Sequence, residues 1–184
     1  MNSVEKQDIQ RCISLLKLAD QLKGLSFLIT GGTGLIGSAL IHLLSALDKD
    51  VNIFAPVRNA EKALSMFNDD ELNKISFFEC DLSTYDYCKL DNVDYIIHCA
   101  APTSSKFFVE KPVETAEIII DVTKSLLSYA VKHKVKGFVY LSSLEVYGTL
   151  SDGTKEVAED VQGYINPMSV RSSYPIAKRA AENL

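Results

Sequence analysis

The sequence predicts an α/β fold built on a doubly wound parallel sheet, with an extra amphipathic helix at the N-terminus. Two observations predict it. Short apolar runs with strand character alternate with segments whose apolar residues recur at helical spacing, and a glycine-rich turn directly follows the first strand. Such alternation is typical of a parallel sheet covered on both faces. Right-handed crossovers then make that sheet doubly wound.

The expected elements follow one another along the chain. Apolar spacing over residues 4–22 predicts a helix, so residues 1–24 are assigned to an N-terminal extension and residues 25–184 to the main domain. The expected strands are Leu25–Thr30, Val51–Val57, Ile75–Cys80, Val93–Ala100 and Gly137–Ser142. The expected helices are Leu35–Leu47, Ala60–Asn68, Pro112–His133 and a last helix from Tyr174 onward.

Composition narrows the class of protein. The 184 residues suffice for one compact domain with its own core. A net charge of −5 argues against a general nucleic-acid binder, which usually has a basic face. No apolar run predicts a membrane span, and the N-terminus lacks the layout of a signal peptide. The cysteines lack metal-ligand spacing, and Cys80 and Cys99 are expected to be small core residues in a reducing cytoplasm.

The glycine-rich turn has the spacing and context of a dinucleotide fingerprint, because it lies between a strand and a helix. Gly31 permits the tight turn, Gly34 lets the backbone approach a pyrophosphate, and Gly37 lets helix and strand pack closely. The helix N-terminus, with Leu35 and Ile36, offers N–H groups and a partial positive charge to phosphates. The alternative is a glycine-rich turn without a ligand.

Several motifs occur in the order that resembles the extended short-chain dehydrogenase/reductase family, the NAD-dependent epimerases and dehydratases. They are the G-x-x-G-x-x-G turn after Thr30, Asp81-Leu82 after strand three, His98-Cys99-Ala100-Ala101 after strand four, the L-S-S-L-E-V-Y-G run at 141–148 and Tyr174-x-x-x-Lys178. The resemblance implies a Rossmann fold in which Asp81 holds the adenine amine and Leu82, Ala100 and Ala101 contact the cofactor. His98 is expected to be a buried histidine instead of a catalytic one.

The resemblance also implies a catalytic set of Ser143, Tyr174 and Lys178. Tyrosine is a poor base at neutral pH, and a lysine four residues later on the same helical face stabilises the phenolate. Tyr174 then removes a hydroxyl proton while Ser143 hydrogen-bonds the same oxygen. Lys178 and Tyr174 would also bind the cofactor, Lys178 through its ribose hydroxyls.

Glu145 distinguishes between branches of the family. Leu144 replaces the aspartate that precedes this glutamate in the sugar 4,6-dehydratases, so simple dehydratase chemistry is not expected. The Ser-Leu-Glu pattern resembles the UDP-glucuronate decarboxylases. So does the run over 159–182, which reads E-D-x-x-G-x-x-N-P-x-x-x-R-S-x-Y-x-x-x-K-R-x-x-E. Glu145 is predicted to be catalytic, with a structural hydrogen-bonding role as the equal alternative.

The choice of cofactor stays open. Strand two ends without the acid that usually binds the ribose 2′-hydroxyl, and Arg58 there could instead meet a 2′-phosphate or stack on adenine. Residue chemistry therefore favours NADP. The resemblance favours NAD, because decarboxylases and epimerases reuse their hydride.

Members of the family are longer than this chain, so the last strands of the sheet and most of the sugar pocket are expected outside it. The predicted function is a decarboxylase- or epimerase-type enzyme acting on a nucleotide sugar, or its cofactor-binding part. The alternative is a non-catalytic dinucleotide-binding domain. The resemblance also allows a homodimer. The substrate sugar is not indicated.

Overall fold

The computed structural model describes residues 3–17, 19–47, 50–90, 92–150 and 156–184. The chain divides into two compact units. The first unit comprises Met1–Ala100 and Tyr129–Val139, and the second comprises Ala101–Ser128 and Tyr140–Leu184. Each unit is described separately below. In the described part of the chain, no helix combines the length and the apolar character needed to span a membrane.

A five-stranded parallel sheet organises the first unit. Its strands are β1 (Ser26–Thr30), β2 (Asn52–Val57), β3 (Ile75–Glu79), β4 (Tyr95–His98) and β5 (Gly137–Tyr140), in the order β3-β2-β1-β4-β5. The order reverses beside β1, because β2 lies on one side of it and β4 on the other. Ligands of open α/β sheets bind outside the carboxyl ends of the strands at such a switch point. The predicted Rossmann-type sheet is confirmed.

Burial along the strands follows their position in the sheet. All five residues of β1 are buried, as expected for a central strand. The edge strand β3 is only partly buried, and the apolar spacing of its sequence did not reveal this. Cys80, which follows β3, and Cys99, which follows β4, are both partly exposed, so the prediction that they are core residues is wrong.

Among the described residues, four α-helices lie wholly within the first unit. They are α1 (Ser3–Leu15), α2 (Leu35–Ala46), α3 (Ala60–Leu64) and α4 (Asp69–Leu72). The helix predicted over 4–22 ends at Leu15, and a 3-10 helix follows at Ala19–Leu22; residue 18 lies outside the described residues. Ile13 and Leu22 nevertheless both pack against the core formed around β1 and β2, whereas Cys12, which shares the apolar spacing, is exposed.

The second unit contains α5 (Ser105–Glu110), most of α6 (Pro112–His133) and α7 (Ser173–Asn183), with 3-10 helices at Leu144–Tyr147 and Val170–Ser172. A small core of its own holds these helices together. It is formed by Phe108, Ile119, Tyr174, Ala177 and Ala181. Tyr174, a predicted catalytic residue, is therefore also a core residue of this unit.

Candidate functional site

The glycine-rich turn connects β1 to α2, and two of its glycines are required by close backbone contacts. Gly31 has φ +71°, and a Cβ there would lie 2.9 Å from the backbone nitrogen of Ala100. A Cβ at Gly37 would collide with the carbonyl oxygen of Gly31. The backbone therefore folds onto itself at the end of β1, which brings the start of α2 to the carboxyl edge of the sheet.

The first turn of α2 is open. Its N-cap, Gly34, is extended and supplies no side-chain hydrogen bond to the helix. Among the described residues, a Cβ at Gly34 would meet only the Gly31 carbonyl oxygen within 4 Å, at 3.2 Å. Leu35 is 88% exposed and Ile36 is 53% exposed, although both are large and apolar. An uncapped N-terminus of a 12-residue helix with a side-chain-free approach fits a pyrophosphate.

Buried hydrogen bonds fix the chain where β1 and β4 end side by side. Thr30 and His98 are paired in register, and the Thr30 hydroxyl lies 2.7 Å from Nδ1 of His98. The same hydroxyl accepts a bond from the Ala100 backbone N–H at 3.1 Å. Both side chains are buried. His98 is thus a buried support of the switch point, as expected, and Thr30 is a second support that the sequence did not identify.

The residues predicted to contact the adenosine part of the cofactor follow strands β2 and β3. Asp81 is exposed, and its Oδ1 accepts bonds from the Ser83 N–H at 2.9 Å and the Ser83 hydroxyl at 2.7 Å. These bonds hold the pKa of the Asp81 carboxyl below its usual range, and the charge of Arg58 adds a smaller effect. Arg58 is exposed, and the Leu82 carbonyl accepts a bond from the Tyr87 hydroxyl. Cofactor contacts at these residues, and at Ala101 in the second unit, stay predictions.

Helix α7 carries two of the four predicted catalytic residues. Lys178 is 2% exposed, and its Nζ donates to the Leu141 carbonyl at 2.7 Å. Tyr174, one turn earlier, is 9% exposed and its ring stacks on Phe108 at 4.2 Å between centroids. The predicted i, i+4 placement on one helix face is therefore present, with both side chains turned into the second unit.

The loop that follows β5 carries the other two predicted catalytic residues, Ser143 and Glu145. Ser143 caps the 3-10 helix Leu144–Tyr147, with its hydroxyl accepting the Glu145 N–H at 3.2 Å. A hydroxyl that accepts one bond still has its own proton to donate. The Glu145 carboxylate forms an ion pair with Arg171, Nη2 to Oε1, at 2.8 Å. The guanidinium of Arg171 in turn lies over the Phe108 ring, 4.8 Å from its centroid.

Arg179 ties this loop to α7. Its Nε donates to the Val146 carbonyl and its Nη2 to the Gly163 carbonyl at 2.9 Å. The loop is also closed by an antiparallel bridge between Thr149 and Tyr164. Arg171 and Arg179 both belong to the run that resembles the decarboxylases, but their partners could not be predicted from it. Nothing in the sequence singled out Phe108.

Comparison with known proteins finds relatives that include enzymes named for UDP-sugars. UDP-glucuronic acid decarboxylase 2 of Arabidopsis thaliana is 32% identical over 88% of this chain and 35% of its own length. The UDP-N-acetyl-alpha-D-glucosaminuronate decarboxylase of Bacillus cytotoxicus is 33% identical over 85% of this chain and 48% of its own length. The solved UDP-N-acetylglucosamine 4-epimerase of Methanobrevibacter ruminantium M1 superposes with a TM-score of 0.71 at 25% identity. That match covers 88% of this chain and 49% of the epimerase.

The chain thus spans about a third to a half of the length of these relatives. The family model for NAD dependent epimerases and dehydratases matches residues 27–184, which is most of the chain. The fold, the ordered motifs and this match together place the chain in the NAD-dependent epimerase/dehydratase family.

Proposed function

We propose that this chain is the cofactor-binding part of an enzyme that decarboxylates a nucleotide-linked uronic acid. One observation carries the proposal: the second unit holds a buried lysine and a buried tyrosine one turn apart on α7, with the lysine bonded to the Leu141 carbonyl just before the Ser143 loop. The decarboxylases among the relatives support the reaction type.

The residues present fit a dinucleotide. The uncapped start of α2 and the side-chain-free approach at Gly34 would hold the pyrophosphate. Asp81 and Arg58 would face the adenosine, and Lys178 would hold ribose hydroxyls. When bound, NAD supplies a hydride acceptor that later returns the hydride to the sugar. NAD is proposed first because of the family, with NADP as the alternative because Arg58 stands where an acid is usual.

The side chains of the second unit manage protons. Tyr174 would take the proton from the sugar hydroxyl that is being oxidised, while the Ser143 hydroxyl donates a hydrogen bond to the same oxygen. Oxidation at C4 of a uronic acid gives a β-keto acid, which can lose carbon dioxide. Glu145, held by Arg171 at 2.8 Å, would position the substrate or handle a proton in the later step.

The test has a binding arm and a turnover arm. We expect this chain to bind NAD in calorimetry. In a full-length protein that includes this chain, we expect UDP-glucuronic acid to give UDP-pentose and carbon dioxide. Tyr174→Phe should keep NAD binding and lose about 10²–10⁴-fold in turnover, since it removes only the hydroxyl.

Two results would change the assignment. Conversion of a neutral UDP-hexose to its 4-epimer, with the uronic acid left untouched, would replace decarboxylase with epimerase. NAD binding with no turnover of either sugar would favour a non-catalytic dinucleotide-binding domain.

A further inference from the structure

Lys178 places an ammonium in the interior of the second unit, where 2% of the residue is exposed. A buried charge is costly unless polar or π-electron groups around it replace its water. The Leu141 carbonyl oxygen accepts one Nζ–H bond at 2.7 Å. The ring of Tyr140, the last residue of β5, presents its face to the same ammonium, with Nζ 4.5 Å from the ring centroid.

Two tyrosine rings lie near Lys178, and the distance from Nζ to each ring centroid shows which ring attracts the ammonium more strongly. Nζ is 4.5 Å from the centre of Tyr140 but 6.0 Å from the centre of Tyr174. Attraction between a cation and an aromatic face acts within about 6 Å, so it favours Tyr140. Burial raises the pKa of the Tyr140 phenol well above its ordinary value, and the nearby Tyr174 and Glu182 add to this. Tyr140 therefore stays neutral, and its ring face keeps the negative potential that attracts the ammonium.

The geometry points to Tyr140 as a positioning residue for Lys178, holding the ammonium by its ring face while the Leu141 carbonyl fixes one N–H bond. The inference rests on the proposed function, in which Lys178 binds cofactor ribose. A lysine side chain has a long flexible stem, so its ammonium can take several orientations. Contact with a ring face selects among them, which lowers the cost of ordering Lys178 when the cofactor binds.

The first experiment measures NAD affinity by calorimetry with the chain as it stands. Tyr140→Phe keeps the ring and should bind NAD within about twofold of wild type. Tyr140→Leu removes the ring and should bind about tenfold more weakly. Tyr164→Leu is the matched control, because its side chain is 67% exposed in the same unit, and it should leave the affinity unchanged.

A second experiment separates the electronic role of the ring from its packing. Phenylalanine carrying one, two or three fluorine atoms is placed at position 140 by nonsense suppression. Each fluorine reduces the negative potential of the ring face with little change of shape, so NAD affinity should fall stepwise. Thermal unfolding without NAD, followed by circular dichroism, should show a stepwise loss of stability as well, because the ring face also stabilises the buried ammonium in the folded state. In a Lys178→Ala background, the series should have no effect on affinity.

The outcomes distinguish the two proposals. A wild-type chain that does not bind NAD overturns the proposed function and this inference together. A wild type that binds NAD, with equal affinity across the fluorinated series, overturns only the role of Tyr140 and reduces it to packing. A stepwise loss that persists in Lys178→Ala also overturns it, because the ring would then act on some other group.

Discussion

Gly34 differs from the other spaced glycines of the turn because its own backbone does not demand glycine. Its φ is −85°, which any residue adopts, whereas Gly31 has a positive φ and Gly37 packs against the Gly31 carbonyl. We therefore expect Gly34→Val to fold, at a cost of about 1–2 kcal/mol because its Cβ would lie 3.2 Å from the Gly31 carbonyl oxygen. Its side chain should block the pyrophosphate and weaken NAD binding by at least about tenfold.

Calorimetry and urea unfolding of the same sample check both parts of this prediction. Gly37→Ala is the contrasting variant, because its Cβ meets the Gly31 carbonyl oxygen and should destabilise the fold itself. Unchanged NAD affinity in a folded Gly34→Val variant would show that the pyrophosphate does not bind at this turn.

Arg58 is the residue on which the choice of cofactor depends. It is exposed at the end of β2, where NAD-specific proteins usually have a carboxylate. We expect weak discrimination against NADP, measured by titrating both cofactors. A preference for NAD above ~100-fold, which corresponds to about 2.7 kcal/mol, would mean that Arg58 does not face the 2′-phosphate. Arg58→Ala should then leave NADP affinity unchanged.

The ion pair of Arg171 with Glu145 should matter more for chemistry than for stability. The two side chains are 36% and 33% exposed, and a pair exposed to this extent contributes at most about 1 kcal/mol. Arg171→Met should thus cost less than about 1 kcal/mol in urea unfolding. Turnover of the longest protein that contains the chain should fall as far as in Glu145→Gln, because the carboxylate loses the group that orients it. Full turnover in Glu145→Gln would make Glu145 a scaffold residue, whereas full turnover in Arg171→Met alone would mean that Arg171 does not orient it.

Among the elements of the sheet, one acid ties three strands together at their amino ends. Asp94, just before β4, accepts the Ser26 N–H of β1 at 2.8 Å and pairs with Lys136, just before β5, at 2.8 Å. The bond to Lys136 first, and that to Ser26 second, hold the pKa of Asp94 below its ordinary value. The same partner raises the pKa of Lys136.

The signs of these two shifts define a pH window. The lowered pKa of Asp94 gives stability that is present above its unfolded value, about 3.9, and is lost as pH falls through the folded value. The raised pKa of Lys136 gives stability that is present below about 10.4 and is lost as pH rises through its folded value. Asp94→Asn should be less stable than wild type at pH 7, and the difference should become smaller at pH 3, because the stabilisation decreases as pH falls below the unfolded pKa. Urea unfolding at both pH values checks this, and an equal difference at both would exclude the charge as the cause.

The sequence predicts long elements well and short ones poorly. The bounds of α6 are as predicted, because 22 residues repeat the apolar spacing and Pro112 marks the start. The predicted helix over 60–68 is wrong in part, because α3 ends at Leu64 and Asn68 begins α4 with a capping box to Glu71. The Asn-x-x-Glu pattern at 68–71 is visible in the sequence and predicts the start of a new helix there. Helix α5 has only six residues, which is too short to show a period.

Across the whole chain, the sequence identifies candidate residues but not the side chains and backbone groups that hold them. Motif order placed Lys178 and Glu145 in the candidate site, since such motifs lie at strand ends and helix starts. It did not predict that the Leu141 carbonyl and the Tyr140 ring hold Lys178, or that Arg171 holds Glu145. These partners depend on packing between segments far apart in the chain, and no local pattern records such contacts.

The thermal stability of the whole chain should report which part of the cofactor each residue holds. A ligand that binds only the folded state stabilises it, by about 2.7 kcal/mol at a concentration of 100 Kd. For a chain of this size, that should raise the Tm by about 5–10 °C with NAD. ADP contains the pyrophosphate and adenosine but lacks the nicotinamide ribose, so it should give a smaller rise.

Two variants separate the contributions in the same thermal unfolding measurement. Gly34→Val should reduce the rise with both ligands by at least about half, because both need the pyrophosphate site and tenfold weaker binding halves the stabilisation. Lys178→Ala should leave the rise with ADP unchanged and reduce the rise with NAD to the ADP level, because only NAD has the ribose that the lysine is proposed to hold. A Lys178→Ala variant that loses the ADP rise as well would show that the lysine supports the fold of the site and not the ribose. A Lys178→Ala variant that keeps the full increase in Tm with NAD would show that Lys178 does not bind the cofactor.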